Sequence, residues 1–326
     1  MTNLGVFERA QPLLILGAVL LGLLMGQDDS FSLWMEWMIL PFLMVMLVGV
    51  FLQVPLKVLR NAFGNVTFTL ASVVINFVIT PLVAGGLGFL FLRDTPELWI
   101  GFTMLMVTPC TDWYLVFTSI SKGNVALSTT LLPLNLILQL LLLPFYLWLL
   151  TGRLHQLNLG LLFESVILVL VVPWIAAMLI RWMVHRYRGE QWFQEQVLSS
   201  MGTVQLLFLN LAIVAMFASQ GSVLLQNPGV LLGLILPVLL YFLLIFLLGY
   251  GVARSLRLSY ADQASLQLTT LARNSPIALA IALTAFPDQP LIALALVIGP
   301  LIELPVLILI SRILLGMRRK REKSFA

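Results

Sequence analysis

The chain has 326 residues, of which 60% are apolar and only 10% are charged. Soluble domains carry about 25% charged residues, so this composition excludes an ordinary soluble protein and predicts a polytopic membrane protein whose main partner is the lipid bilayer. The formal net charge of +4 does not indicate nucleic-acid binding, because the basic residues are sorted by side of the membrane.

Hydropathy predicts ten membrane-spanning helices, since apolar segments of about 20 residues recur along the whole chain. The first is expected to be a retained helix rather than a cleaved signal peptide, because no small-residue cleavage site follows it. Residues 54–64 are predicted to form a short helix at the membrane interface. The predicted spans are 11–26, 34–53, 66–92, 97–120, 125–151, 160–184, 197–219, 228–252, 262–286 and 290–316.

The basic residues predict the orientation of the chain. If the N-terminus is cytoplasmic, 15 of the 18 Lys and Arg residues lie on the cytoplasmic side, whereas Arg93 and Arg153 lie outside and Arg273 lies within a span. This asymmetry follows the positive-inside rule. We therefore expect a multi-pass protein of the cell membrane with both termini in the cytoplasm and a basic cytoplasmic tail over 317–326.

Five spans followed by five spans predict an internal duplication. A unit with an odd number of spans that is repeated in tandem must insert in the opposite orientation, which gives an inverted repeat. Pro109 and Pro133 are 24 residues apart, as are Pro276 and Pro300, and the two pairs are offset by 167 residues. The expected fold is therefore an all-α transporter domain of ten transmembrane helices in two inverted five-helix repeats. The repeats would cover about 11–151 and about 160–316.

The fourth and ninth spans are each predicted to be unwound, near residues 109–112 and 273–276, and the two breaks are predicted to cross. Pro109 and Pro276 each remove a backbone donor within a span, and the freed polar groups require protein or a water-filled cavity. Paired broken helices indicate the substrate site of a secondary transporter; the alternative is that the prolines only kink two helices. The polar neighbours assigned to this site are Thr108, Thr111, Asp112, Asn274 and Ser275.

Three charged residues lie within the predicted spans, where a charge at mid-bilayer costs about 2.5–3.5 kcal/mol. Asp112 follows Pro109 by three residues and Arg273 precedes Pro276 by three. Crossing breaks therefore predict an Asp112–Arg273 contact, which is either a static ion pair or part of the coupling site. Because burial disfavours the charged form of a carboxyl group, Glu303 could bind and release a proton near neutral pH. The alternative is a protonated glutamic acid that bonds a neighbouring helix.

Cys110 is the only cysteine of the chain. A lone buried cysteine usually behaves as a small apolar residue. Beside a helix break and a carboxylate, its soft thiol instead suits a thiophilic solute such as trivalent arsenic. No metal site and no cofactor are predicted, since a structural zinc site needs about four ligands.

Four segments of the chain carry a family resemblance: PCTDWYLVFTSISKGN, LSTTLLPLNLILQ, ARNSPIALAIAL and IGPLIELPV. They resemble the bile acid/arsenite/riboflavin transporter superfamily and, within it, the arsenical-resistance-3 (arsenite exporter) family. The resemblance spans all ten predicted helices. It implies that Cys110 and Glu303 are transport-critical and that arsenite, or a related small oxyacid, is exported in exchange for protons. The chain departs from these exporters at Asp112, Trp113 and Arg273.

The alternative function is sodium-coupled uptake of a small organic anion, bile-acid-like or pantoate-like. The sodium-coupled bile acid branch of the superfamily has a glutamate about five residues before the asparagine of its ninth-span break, where this chain has Thr269. Asp112, Ser128 and Thr129 could supply hard oxygen ligands for sodium instead. An enzyme is not expected, because the sequence contains no HExxH, GxSxG or P-loop pattern. No obligate protein partner is indicated.

Overall fold

The computed structural model describes residues 6–53, 65–110, 113–151, 159–226 and 228–325, and it contains helices and short connections but no β-strand in these ranges. The helices are α1 (Val6–Met25), α2 (Asp29–Gln53), α3 (Val66–Val74), α4 (Thr80–Phe91), α5 (Pro96–Val107), α6 (Trp113–Ile120), α7 (Val125–Thr151), α8 (Leu159–Tyr187), α9 (Gly189–Trp192), α10 (Ser199–Gln226), α11 (Pro228–Ser255), α12 (Tyr260–Leu271), α13 (Ser275–Ala285) and α14 (Pro290–Phe325). Two π-helical segments join neighbouring helices without a gap, Ile75–Ile79 between α3 and α4 and Phe193–Leu198 between α9 and α10.

The lengths of the helices indicate how many of them can span a membrane. Six helices are long and apolar enough to cross a membrane, and α7 provides a seventh if its two parts, bent by 55° between Gln139 and Leu141, form one span. Shorter apolar helices lie at Leu13–Met25, Pro96–Val107 and Ser275–Ala285. The chain is thus an all-helical multi-pass protein, while the predicted ten spans and inverted repeat stay predictions. The predicted interfacial helix over 54–64 lies outside the described residues.

The helices are apolar on their outer faces and polar at selected positions within. Trp37 and Leu232 are largely exposed, whereas Asn76, Arg273 and Glu303 are buried. In a bilayer an apolar outer face contacts lipid without cost, and polar side chains are tolerated where other protein groups satisfy them. The buried polar residues therefore mark the position of a candidate functional site.

The helices pack in two groups. One group contains α1, α2, α8 and α10, and the other is built from α3, α4, α5, α7, α11, α12 and α14. The short helix α13 belongs to both, because it packs against α5 and α14 on one side and against α2 and α8 on the other. The segment that precedes α13 is therefore located where the two groups meet.

Two glycines allow α14 to approach α5 closely. A Cβ atom at Gly101 would lie 2.7 Å from the carbonyl oxygen of Ile292, and one at Gly299 would lie 2.7 Å from the Leu105 side chain. Residues four apart share one face of a helix, so Glu303 lies on the same face of α14 as Gly299. The face of α14 that carries Glu303 is therefore the face that packs against α5.

Candidate functional site

Two interrupted helices meet where the two groups of helices adjoin. Helix α5 ends at Val107 and α6 begins at Trp113, while α12 ends at Leu271 and α13 begins at Ser275. Between them, the N–H of Cys110 donates to the carbonyl of Ala272 at 2.9 Å, and the N–H of Asn274 donates to the carbonyl of Thr108 at 2.7 Å. These bonds form an isolated antiparallel bridge between Pro109 and Arg273. The predicted breaks are therefore present, and their backbones pair directly.

The second break lies slightly earlier than the sequence predicts. Residues 273–276 were expected to be unwound, but the non-helical residues are 272–274, and Pro276 belongs to the first turn of α13. The N–H groups of the first turn have no carbonyl partner within their own helix, so a proline, which lacks an N–H, costs no helical hydrogen bond there. Asn274 caps this turn, because its side-chain oxygen accepts the N–H of Ile277 at 3.2 Å. Pro276 thus lies in the first turn after the break, so the predicted break is present but its non-helical residues do not include Pro276.

At the first break, a hydroxyl group compensates for the missing proline donor. Pro109 has no N–H to donate to the carbonyl of Leu105, one turn earlier. The Thr108 hydroxyl lies 3.2 Å from that carbonyl oxygen and 2.8 Å from the carbonyl oxygen of Met104. Thr108 is fully buried, so this compensation takes place away from solvent. Thr111 and Asp112 lie outside the described residues.

Arg273 is a buried cation surrounded by neutral oxygen atoms. Its guanidinium donates to the carbonyl of Leu271 at 3.1 Å, to the carbonyl of Met106 at 2.9 Å and to the side-chain oxygen of Asn76 at 3.0 Å. It also donates to the carbonyl of Thr270. Among the described residues no carboxylate forms an ion pair with it, and the Asp112–Arg273 contact stays a prediction because Asp112 lies outside them.

The Glu303 side chain contacts the backbone of the second break. Its carboxyl oxygen accepts the N–H of Arg273 at 2.9 Å, and the residue is only 3% exposed. The sequence offered no partner for this glutamate, because a bond to a backbone N–H depends on the packing of α14 against the break and has no signature in residue types.

Asn76 is a site residue that the sequence analysis missed. A signal was available: Ser72, Asn76 and Thr80 recur every fourth residue in an otherwise apolar span, which places three polar groups on one helix face, and all three are fully buried. Tyr241 completes this side of the site, since its ring centre lies 5.5 Å from the Arg273 guanidinium.

A small cavity borders the crossing. It brings together several predicted site residues, because its lining includes Cys110, Arg273, Asn274, Ser275 and Glu303, with Gln205 as a further polar group. The remaining lining is apolar and comes largely from α2 and α10. A second cavity shares the Ser275–Pro276 segment and Pro300 and is otherwise lined by apolar residues. The cavity at the crossing, called the polar cavity below, therefore adjoins an apolar one.

The proposed sodium ligands on α7 are located elsewhere. Ser128 is buried and Thr129 is partly exposed, and neither is among the residues that line the polar cavity. The Thr129 hydroxyl donates within its own helix, to the carbonyl of Val125 at 2.8 Å. Ser275 is closer to the crossing, and its hydroxyl donates to the carbonyl of Leu296 on α14.

Comparison with known families assigns the chain. Residues 31–227, more than half of its length, match the sequence model of the Sodium Bile acid symporter family. The chain belongs to this family. The matched segment includes the first break, while the second break and Glu303 lie beyond it.

Individual relatives are similar over most of the chain. The "Arsenical-resistance protein Acr3" of Corynebacterium glutamicum is 28% identical over an alignment of 247 positions that covers 73% of this chain and 67% of that protein. The "Arsenical-resistance protein Acr3" of Alkaliphilus metalliredigens is 23% identical over an alignment of 331 positions, gaps included, that covers 95% of this chain and 93% of that protein. The "Uncharacterized transporter slr0944" of Synechocystis is 25% identical over an alignment of 344 positions, gaps included, that covers 95% of this chain and 89% of that protein. Together with the apolar helices, the family membership makes this chain a transmembrane transporter.

Proposed function

We propose that this protein exports arsenite, or a related small oxyacid, across the cell membrane in exchange for protons. The main observation is that Cys110 and Glu303 line one cavity at the crossing of the two breaks. A thiol that can bind a thiophilic solute and a carboxyl group that can bind a proton therefore border the same space. Two of the relatives described above are arsenical-resistance proteins, which supports the same substrate.

The thiol accounts for substrate choice. Trivalent arsenic is a soft centre that prefers sulfur to oxygen ligands. Arsenous acid is uncharged at neutral pH, and a thiol binds it by forming one As–S bond while one hydroxyl leaves as water. A single thiol makes only one such bond, so binding is readily reversed, as transport requires. The side chains of Asn274 and Ser275 border the same cavity and can hydrogen-bond the remaining hydroxyl groups.

Glu303 accounts for the coupling. Its carboxyl group borders the cavity and accepts the Arg273 N–H. A carboxyl group that borders the substrate cavity can take a proton from one side of the membrane and release it to the other when the substrate leaves.

The helices fit the proposed ten-span arrangement. Helices α5 and α6 then form one broken span and α12 and α13 another, and α1 and the bent α7 complete the ten. Under the inverted repeat, α1 and α2 correspond to α8 and α10, and these four helices pack together.

With a cytoplasmic N-terminus, Val50 near the end of α2 and Gln205 near the start of α10 lie towards the cytoplasm. Both line the polar cavity, so arsenite would enter it from inside the cell.

Arsenite accumulation in whole cells tests the substrate. Cells that lack their own arsenite exporter should accumulate less arsenite when they express the wild-type protein, and Cys110→Ser should abolish that difference at equal protein level. Wild-type expression that leaves arsenite accumulation unchanged would contradict the proposed substrate.

Sodium-coupled uptake of a small organic anion, bile-acid-like or pantoate-like, is the second candidate. It is favoured by the matched family, the Sodium Bile acid symporter family. Proteoliposomes that take up taurocholate or pantoate under an imposed sodium gradient, and do not transport arsenite under a proton gradient, would favour this candidate.

A further inference from the structure

The second break frees backbone carbonyls that one side chain then satisfies. In a continuous helix the carbonyl of Thr270 would accept the N–H of Asn274, but that N–H donates to the carbonyl of Thr108 at 2.7 Å. The Arg273 guanidinium donates to the freed carbonyl of Thr270 and, at 3.1 Å, to that of Leu271. The positive group thus lies at the C-terminal end of α12, where the helix dipole is negative.

The first break directs a carbonyl to the same guanidinium. The carbonyl of Met106 would ordinarily accept the N–H of Cys110, which donates instead to the carbonyl of Ala272 at 2.9 Å. Arg273 supplies the replacement donor at 2.9 Å, and the side-chain oxygen of Asn76 accepts from it at 3.0 Å. Three carbonyl oxygens and one amide oxygen, from three parts of the chain, therefore surround one positive charge.

We propose that Arg273 is a tethered cation, which permanently fills a position that would otherwise bind a small monovalent cation from solution. Broken-helix transporters coordinate such ions with unwound backbone carbonyls and half-helix C-terminal ends, and these are the groups that surround the guanidinium. The side chain is 3% exposed, and the Tyr241 ring, 5.5 Å away, adds a cation–π contact. A free sodium ion therefore has no access to this position in the wild-type protein.

A tethered cation at the crossing does not depend on which solute the protein transports. Thermal unfolding of the purified protein, rather than flux, therefore tests for it. A protein that transports no arsenite could still contain a tethered cation, and an arsenite exporter could lack one, so the two proposals fail separately.

The first test removes the side chain and offers its charged group in solution. Purified Arg273→Ala in nonionic detergent should show a saturable rise in unfolding temperature of at least about 2 °C with millimolar guanidinium chloride, relative to choline chloride. The wild-type protein should show no such rise, because its own Arg273 fills the position. The absence of a guanidinium effect on Arg273→Ala, or an equal guanidinium effect on the wild type, would overturn the proposal.

The second test remains informative if Arg273→Ala does not fold. Lysine and methionine have side chains of similar length, but only lysine provides a positive charge with N–H donors. A tethered cation predicts that Arg273→Lys unfolds at a temperature at least about 2 °C above that of Arg273→Met. A side chain that only fills space predicts the reverse order, because an apolar group is easier to bury than a charge. Equal or higher stability of Arg273→Met would therefore overturn the proposal.

Discussion

The two helix breaks differ in how their free backbone groups are satisfied. At the first break, the Thr108 hydroxyl bonds carbonyls of its own helix. At the second, groups from elsewhere take part: Asn76 beyond α3 bonds the carbonyl of Thr269 at 3.4 Å, and Glu303 on α14 accepts the N–H of Arg273. The second break therefore has side-chain partners from two other parts of the chain, whereas the first has Thr108 of its own helix and Arg273 of the second break. Matched prolines in the two halves do not produce matched breaks.

The largest loss of stability is expected from a change at the second break. Asn76→Leu removes the amide that accepts from Arg273 and donates to Thr269, and it leaves a charged donor and a carbonyl unsatisfied. We expect a loss of about 2–3 kcal/mol in the free energy of unfolding, measured by denaturant unfolding in detergent. Val78→Ala, at a half-exposed position nearby, is the control. Equal stabilities of the two variants would show that the long-range contacts do not fix the break.

The packing that brings Glu303 to the second break should be almost as sensitive. Gly101→Ala places a Cβ atom 2.7 Å from the carbonyl oxygen of Ile292, so α14 must move away from α5. We expect a loss of about 1–3 kcal/mol, together with lower transport activity. Gly86→Ala is the matched control, because nothing lies within 4 Å of its added Cβ atom. If both alanine variants behave like the wild type, close approach of these two helices is not needed.

A smaller effect is expected at the first break. Thr108→Val keeps the shape of the side chain but loses the hydroxyl that compensates for Pro109. We expect a loss of about 1 kcal/mol, measured in the same unfolding experiment. A loss greater than that of Asn76→Leu would reverse the comparison between the two breaks.

The smallest change in stability is expected for Cys110→Ser. The substitution keeps the size of the side chain, and we expect a change within about 1 kcal/mol. Arsenite efflux should nevertheless fall strongly, because the soft ligand is lost. Full efflux by Cys110→Ser in cells would assign the substrate choice to other residues.

The sequence predicted the larger features of the fold and missed its detailed contacts. Composition and hydropathy were sufficient for an all-helical membrane protein, and Pro109 and Pro276 located two breaks because proline has a fixed effect on backbone bonding. The position of Pro276 was misjudged, since proline both ends and begins helices. The contacts of Arg273 with carbonyls, and that of Glu303 with a backbone N–H, could not be predicted, because every residue type offers the same backbone groups.

Arsenite transport by reconstituted Glu303→Gln tests the central claim most directly. Glutamine keeps an oxygen that can accept the Arg273 N–H but cannot exchange a proton, so the fold should survive while coupling is lost. Vesicles with the cytoplasmic face outward and an acidic interior should accumulate arsenite with the wild-type protein and fail to do so with Glu303→Gln, at equal amounts of folded protein. Accumulation by Glu303→Gln against the arsenite gradient, with the proton gradient as the only energy source, would contradict the proposed mechanism.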